Sequence, residues 1–176
     1  MNYANIKKHD VANGVGVRVS LFVSGCTHCC KGCFNAEAWD FTYGNAFTRQ
    51  TQEEILQALD KPYIAGLSLL GGEPFEPSNQ RALLPFLQEV RRRFPEKTIW
   101  CYSGYTFDSD LCSGGRANCE VTQNMLSLLD ILVDGEFIEE LKDLKLRFRG
   151  SSNQRIIDVK RSLAEGGVRL WKDGNY

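Results

Sequence analysis

VRVSLFVSGCTHCCKGCFN, residues 17–35, decides how this chain is read. Its first eight residues are rich in β-branched and aromatic side chains and predict a strand over 17–24. The chain then enters a loop holding four cysteines, Cys26, Cys29, Cys30 and Cys33. The same arrangement recurs further along. GLSLL at 66–70 is a short apolar strand that runs into GGEP, TIWCYSG (98–104) reads as the next strand and brings SGY to its end, and ILVDG (131–135) reads as another, with VDG at its end. Helical patterns fall between these strands. Thr51-Gln52-Glu53-Glu54 fits a capping box ahead of Ile55, Leu56 and Leu59. After Pro77, the spacing of Leu83, Leu84, Leu87, Val90 and Phe94 predicts a helix ending near Pro95. TQNMLSLLD (122–130) is a third helix candidate, and Gly114-Gly115 marks a loop. In the tail, QRIIDV reads as a strand, VKRSLAEGG as a short helix and VRLW as a last strand.

Short apolar strands alternating with helices predict an α/β fold, with a mostly parallel sheet, helices outside it and right-handed connections. A complete eight-stranded α/β barrel takes about 250 residues and rarely fewer than ~200. The 176 residues here predict a partial, open barrel in a single domain spanning 1–176. The cysteine loop, GGEP, SGY and VDG all lie at the carboxyl ends of predicted strands, where parallel α/β folds build their sites.

Composition narrows the function. The formal charge of −1 leaves no footprint for nucleic acid or an anionic membrane surface. Arg91-Arg92-Arg93 reads as a solvated helix end. MNYANIKKHD carries no signal-peptide apolar stretch, and no segment approaches the ~20 apolar residues of a membrane span, so a cytoplasmic location is expected. Seven cysteines in a reducing compartment are metal ligands or redox groups rather than a disulfide framework, and an odd number cannot pair completely.

A closed zinc site is one reading of the loop, with His28 as a further possible ligand. The adjacent Cys29 and Cys30 weigh against four thiolates on one ion. A second ligand pair would have to come from Cys112 and Cys119, which are loosely spaced. Choosing three leaves two registers, Cys26/Cys30/Cys33 (CxxxCxxC) and Cys26/Cys29/Cys33 (CxxCxxxC). Three thiolates on an iron–sulfur cubane leave one iron open to a small molecule.

CxxxCxxC at the end of a first strand resembles the radical S-adenosylmethionine superfamily, and LLGGEP (69–74) resembles its second motif. The resemblance narrows to the activating proteins of anaerobic ribonucleoside-triphosphate reductase. It is carried by residues 11–35, Phe47-Thr48, SLLGGEPF, IWCYSGYTF, LVDGEF and RGSSNQRIIDV, and it covers Asn2 to about Val159. It implies that Cys26, Cys30 and Cys33 hold a 4Fe–4S cluster whose open iron chelates S-adenosylmethionine. Gly32, Cys33 and Phe34 would lie against the adenine, and Gly71, Gly72 and Glu73 against the methionyl amino group. It also implies an electron from reduced flavodoxin or a similar donor, cleavage to a 5′-deoxyadenosyl radical, and removal of one glycine Cα hydrogen from the reductase. No catalytic residue is expected beyond these ligands. Gly32, where the superfamily often has an aromatic residue, sets the chain apart from the longer pyruvate formate-lyase activating enzymes.

The remaining candidates have plainer readings. His28 is expected to be an exposed bystander, Trp39 a core aromatic and Cys101 buried filler. For Ser103, Gly104 and Asp134, pocket roles stand beside turn or cap roles. Ser151 to Arg155 either line a route for the partner's glycine loop or satisfy local backbone. Cys112 and Cys119 carry no assignment.

Overall fold

The computed structural model describes residues 1–112 and 114–172. Ser113, within the loop expected around Gly114-Gly115, and the last four residues of the tail lie outside the described residues. Seven strands form one open sheet: β1 (Asn2–Asp10), β2 (Val17–Val23), β3 (Asn45–Ala46), β4 (Ile64–Gly71), β5 (Thr98–Tyr102), β6 (Ile131–Asp134) and β7 (Arg155–Asp158). Their order is β3-β1-β2-β4-β5-β6-β7. The four helices are α1 (Arg49–Leu59), α2 (Pro77–Arg93), α3 (Thr122–Ser127) and α4 (Val159–Glu165).

The centre matches the sequence reading. β2, β4, β5 and β6 pair in parallel, with Leu21 opposite Leu69, Leu69 opposite Cys101 and Cys101 opposite Leu132. The flanks correct it. β1 pairs antiparallel with β2 and with β3, and β7 pairs antiparallel with β6. Connection length sets these directions. Residues 11–16 are too few for a crossover, and residues 136–154 contain only one 3₁₀ turn, so each chain returns as a hairpin partner. The sheet does not close: an open mixed sheet stands where a partial barrel was expected.

Three element boundaries also differ. Thr48, not Thr51, caps α1: its hydroxyl accepts from the Thr51 N–H at 3.3 Å, and Thr51 is itself buried in the first turn. α3 stops at Ser127. VRLW forms no strand; Leu170 makes a single bridge to Ile157.

Strand alternation gives the sheet two unlike faces. Val19, Leu21, Leu67, Leu69, Ile99, Cys101 and Leu132 point into the main core with Ile55, Leu83, Phe86, Leu87 and Met125 of the helices. Each such buried side chain contributes roughly 1.5–3 kcal/mol. Trp100, Ile131 and Val133 point the other way, where Val15, Phe148 and Trp171 from loops and the tail cover them. Arg18 is fully buried on this loop-covered face, 5.5 Å from the Trp100 ring. No helix among the described residues is long and apolar enough to cross a membrane.

The arginine run at the end of α2 divides. Arg92 and Arg93 pair with Glu89 on the surface, while Arg91 turns inward to the Leu128 carbonyl and to Asp130. Asp130 is buried, and burial acts to raise its pKa. Hydrogen bonds from Arg91, Lys160 and the Ile99 N–H outweigh that and hold the carboxyl below its usual range. A depressed native pKa contributes stability above the unfolded value and loses it as pH falls through the native one. Asp130→Asn should therefore cost about 1.5–3 kcal/mol at neutral pH. In urea melts the gap to wild type should close under acid. A gap that stays constant down to about pH 2 would contradict this.

Candidate functional site

The cysteine loop leaves β2 and is stitched to the turn that leaves β4. The Gly72 N–H donates to the Val23 carbonyl at 2.7 Å, and the Glu73 N–H to the Gly25 carbonyl at 2.8 Å. Asn79 on α2 donates to both the Ser24 and Glu73 carbonyls. Glu76 accepts from the Thr27 N–H at 2.8 Å and from its hydroxyl at 2.6 Å. Glycine is required at this seam. Gly71 has φ +111°, and a Cβ at Gly72 would lie 2.6 Å from the Gly25 carbonyl oxygen and 2.9 Å from that of Ala38.

Beyond the seam lies a cavity of about 440 Å³, within the range of small-molecule sites. Cys26, Cys30 and Cys33 line it together with Gly71, Gly72 and Glu73. Two strand ends that are distant in sequence therefore share one wall, and all six were singled out from the sequence. Gly32 and Phe34 also line it; Phe34 stands at the rim and is 82% exposed. Cys29 is exposed, adopts φ +52° and is absent from the lining.

The donor set fits an iron–sulfur cluster. Three soft thiols face one cavity, and the Asn35 N–H points at the Cys33 sulfur at 3.5 Å, the kind of contact that tunes clusters. Backbone groups of His28 and Cys29 beside the Cys26 sulfur favour its thiolate. Among the described residues no three His, Cys, Asp or Glu side chains gather tightly enough for a single metal ion. A cubane instead takes one thiolate per iron and spreads its ligands. Burial, and then the nearby charge of Glu73, pushes the Cys26 thiol up to about 12. Burial and Glu136 push Cys30 up to about 11. Ligation must therefore displace protons from both.

Glu73 is 1% exposed. Its Oε1 accepts from the Phe75 N–H at 2.8 Å and the Ser103 hydroxyl at 2.9 Å, and its Oε2 accepts from the Gly104 N–H at 2.7 Å. Ser103 and Gly104 thus act on Glu73, tying the β5 end to the β4 end.

His28 corrects the sequence reading. Its side chain is 3% exposed, with Nε2 3.2 Å from Glu73 Oε2. Burial acts to lower its pKa, but the neighbouring Glu73 carboxylate prevails and raises it. A buried carboxylate at the next strand end draws the ring inward, and nothing in CTHCC signals that. Trp39 is half-buried and walls the cavity rather than joining the core. Asp134 takes the cap role: fully buried, it accepts from the Phe107 N–H at 2.7 Å and pairs with Arg155. Ser151 accepts from the Ile138 N–H, and Gln154 reaches the cavity wall. Cys101 is buried as expected, while Cys112 and Cys119 are half-buried free thiols outside the cavity lining. Phe148 and Arg149 also line the cavity, which was not anticipated.

A thiol-lined cavity at the carboxyl ends of a parallel core defines the class. The family model described as a 4Fe–4S single cluster domain matches residues 12–157. Anaerobic ribonucleoside-triphosphate reductase-activating proteins are similar over nearly the whole chain. That of Haemophilus influenzae is 45% identical over 158 residues, 89% of this chain and 97% of its own. Those of phage T4 and Escherichia coli K12 are 41% and 40% identical, covering 89% and 88% of this chain and 93% and 96% of their own. The chain belongs to the family of anaerobic ribonucleoside-triphosphate reductase-activating proteins.

Proposed function

We propose that this protein is a radical S-adenosylmethionine enzyme that installs a glycyl radical on anaerobic ribonucleoside-triphosphate reductase. The observation that carries the proposal is the shared wall of Cys26, Cys30 and Cys33 with Gly71, Gly72 and Glu73. The names of the relatives give the partner. When bound, a 4Fe–4S cluster with one open iron supplies the electron for reductive cleavage of S-adenosylmethionine, giving the 5′-deoxyadenosyl radical that takes a glycine Cα hydrogen.

The chain's own residues do the rest. The three cysteines hold the cluster against the seam. Backbone at Gly71 and Gly72 approaches the methionyl group. Glu73, with three of about four lone-pair directions in use, keeps one for the ammonium. Gly32 and Phe34 flank the adenine, and the walls keep water from the radical. Reduced flavodoxin or a similar donor supplies the electron.

Anaerobically reconstituted protein should contain about four irons per chain. Its reduced-state EPR signal should change when S-adenosylmethionine is added. Iron-free protein holding one tightly bound zinc would sink the proposal.

A further inference from the structure

We propose that His28 is a positioning residue, which fixes the Glu73 carboxylate for S-adenosylmethionine and couples that carboxylate to the cysteine loop. The inference rests on the function proposed above.

His28 lies midway between Cys26 and Cys30, yet its ring leaves the loop and enters the wall. It packs against Tyr105 with ring centroids 4.3 Å apart. Gly104 makes room for it: a Cβ there would lie 2.7 Å from His28 Cδ2 and Nε2. On its remaining edge, Nε2 reaches to 3.2 Å from Glu73 Oε2. That contact is off axis, and Nε2 is a buried nitrogen with no aligned hydrogen-bond partner. The ring therefore limits where the carboxylate can swing without consuming its last lone pair. His28 itself lines the cavity, but its Nε2 is buried against Glu73, so the nitrogen acts through Glu73 rather than on the ligand.

The arrangement joins three strand ends. Glu73 follows β4, Ser103 and Gly104 follow β5, and His28 sits on the loop after β2. A shift of the cysteine loop is transmitted to the carboxylate by direct contact. Cluster and carboxylate must be in register for one ligand to meet both, and this ring sets that register. Partners one layer behind a ligating group typically contribute 10–100-fold to affinity.

The test compares two variants in reconstituted protein. His28→Leu fills the space without a nitrogen, and His28→Gln places an amide nitrogen at similar reach. Iron per chain and the dissociation constant for S-adenosylmethionine are measured separately. We expect wild-type iron in both, S-adenosylmethionine binding weakened at least about tenfold in His28→Leu, and most of that loss restored in His28→Gln. Wild-type affinity in His28→Leu would overturn the inference, as would affinity that falls only in step with iron. Wild-type protein that holds iron but never binds S-adenosylmethionine would overturn the proposed function and the inference with it.

Discussion

Serine at Cys26, Cys30 or Cys33 will leave the protein without cluster and without activity, while Cys29→Ser will keep both. A serine hydroxyl is hard and protonated, whereas iron in a cluster is held by soft thiolates. Each of the three expected ligands lines the cavity. Cys29 does not: its left-handed backbone sends it to the exposed side of the loop. Iron content should fall from about four per chain to background in Cys26→Ser, Cys30→Ser and Cys33→Ser. Glycyl radical yield should fall with it. Cys29→Ser should stay within about twofold of wild type in both, since Cys29 lies outside the cavity lining. Cluster loss in Cys29→Ser with survival in Cys30→Ser would establish the CxxCxxxC register instead.

The largest stability effect should come from Arg18→Leu. This guanidinium is fully buried on the loop-covered face, near the start of β2, and it braces the sheet there. It donates to Ser68 Oγ at 2.7 Å, to the Leu67 carbonyl at 2.8 Å, to Thr98 Oγ1 and carbonyl oxygen at 2.9 Å each, and to the Val15 carbonyl at 3.1 Å. One side chain thus ties β2, β4, β5 and the 11–16 turn. Leucine fills part of the volume but removes the guanidinium donors from those buried acceptors. With about 1–3 kcal/mol for each acceptor left unsatisfied, the expected cost is about 3–5 kcal/mol, against a total stability of about 5–15 kcal/mol. Urea unfolding at neutral pH measures it. A loss below about 1 kcal/mol would show that water or a shifted backbone satisfies those acceptors.

How legible was this in the sequence? β2, β4, β5 and β6 were, because strands buried on both faces are written as apolar runs. β1 was not. It is half exposed, Lys7 and Lys8 interrupt its pattern, and its register shifts twice against β2. β3, with two residues, is below any periodic signal. β7 was seen as a strand, but its direction follows from the connection before it rather than from its own residues. At the site, the thiols and GGEP could be read because each motif is contiguous. The burial of His28 could not, since it depends on Glu73, which lies on another strand. Nor could the wall at 148–149: LKDLKLRFRG received no assignment from its sequence, yet Phe148 packs with its ring centroid 5.2 Å from that of Trp100.

The central claim is that the thiol-lined cavity generates a radical destined for another protein. Anaerobic incubation of this protein with anaerobic ribonucleoside-triphosphate reductase, S-adenosylmethionine and a low-potential reductant, read by EPR, tests it most directly. The account predicts a glycyl radical doublet on the reductase that needs all three additions and is absent with Cys30→Ser. S-adenosylmethionine cleaved at the wild-type cluster with no doublet on the reductase would contradict it.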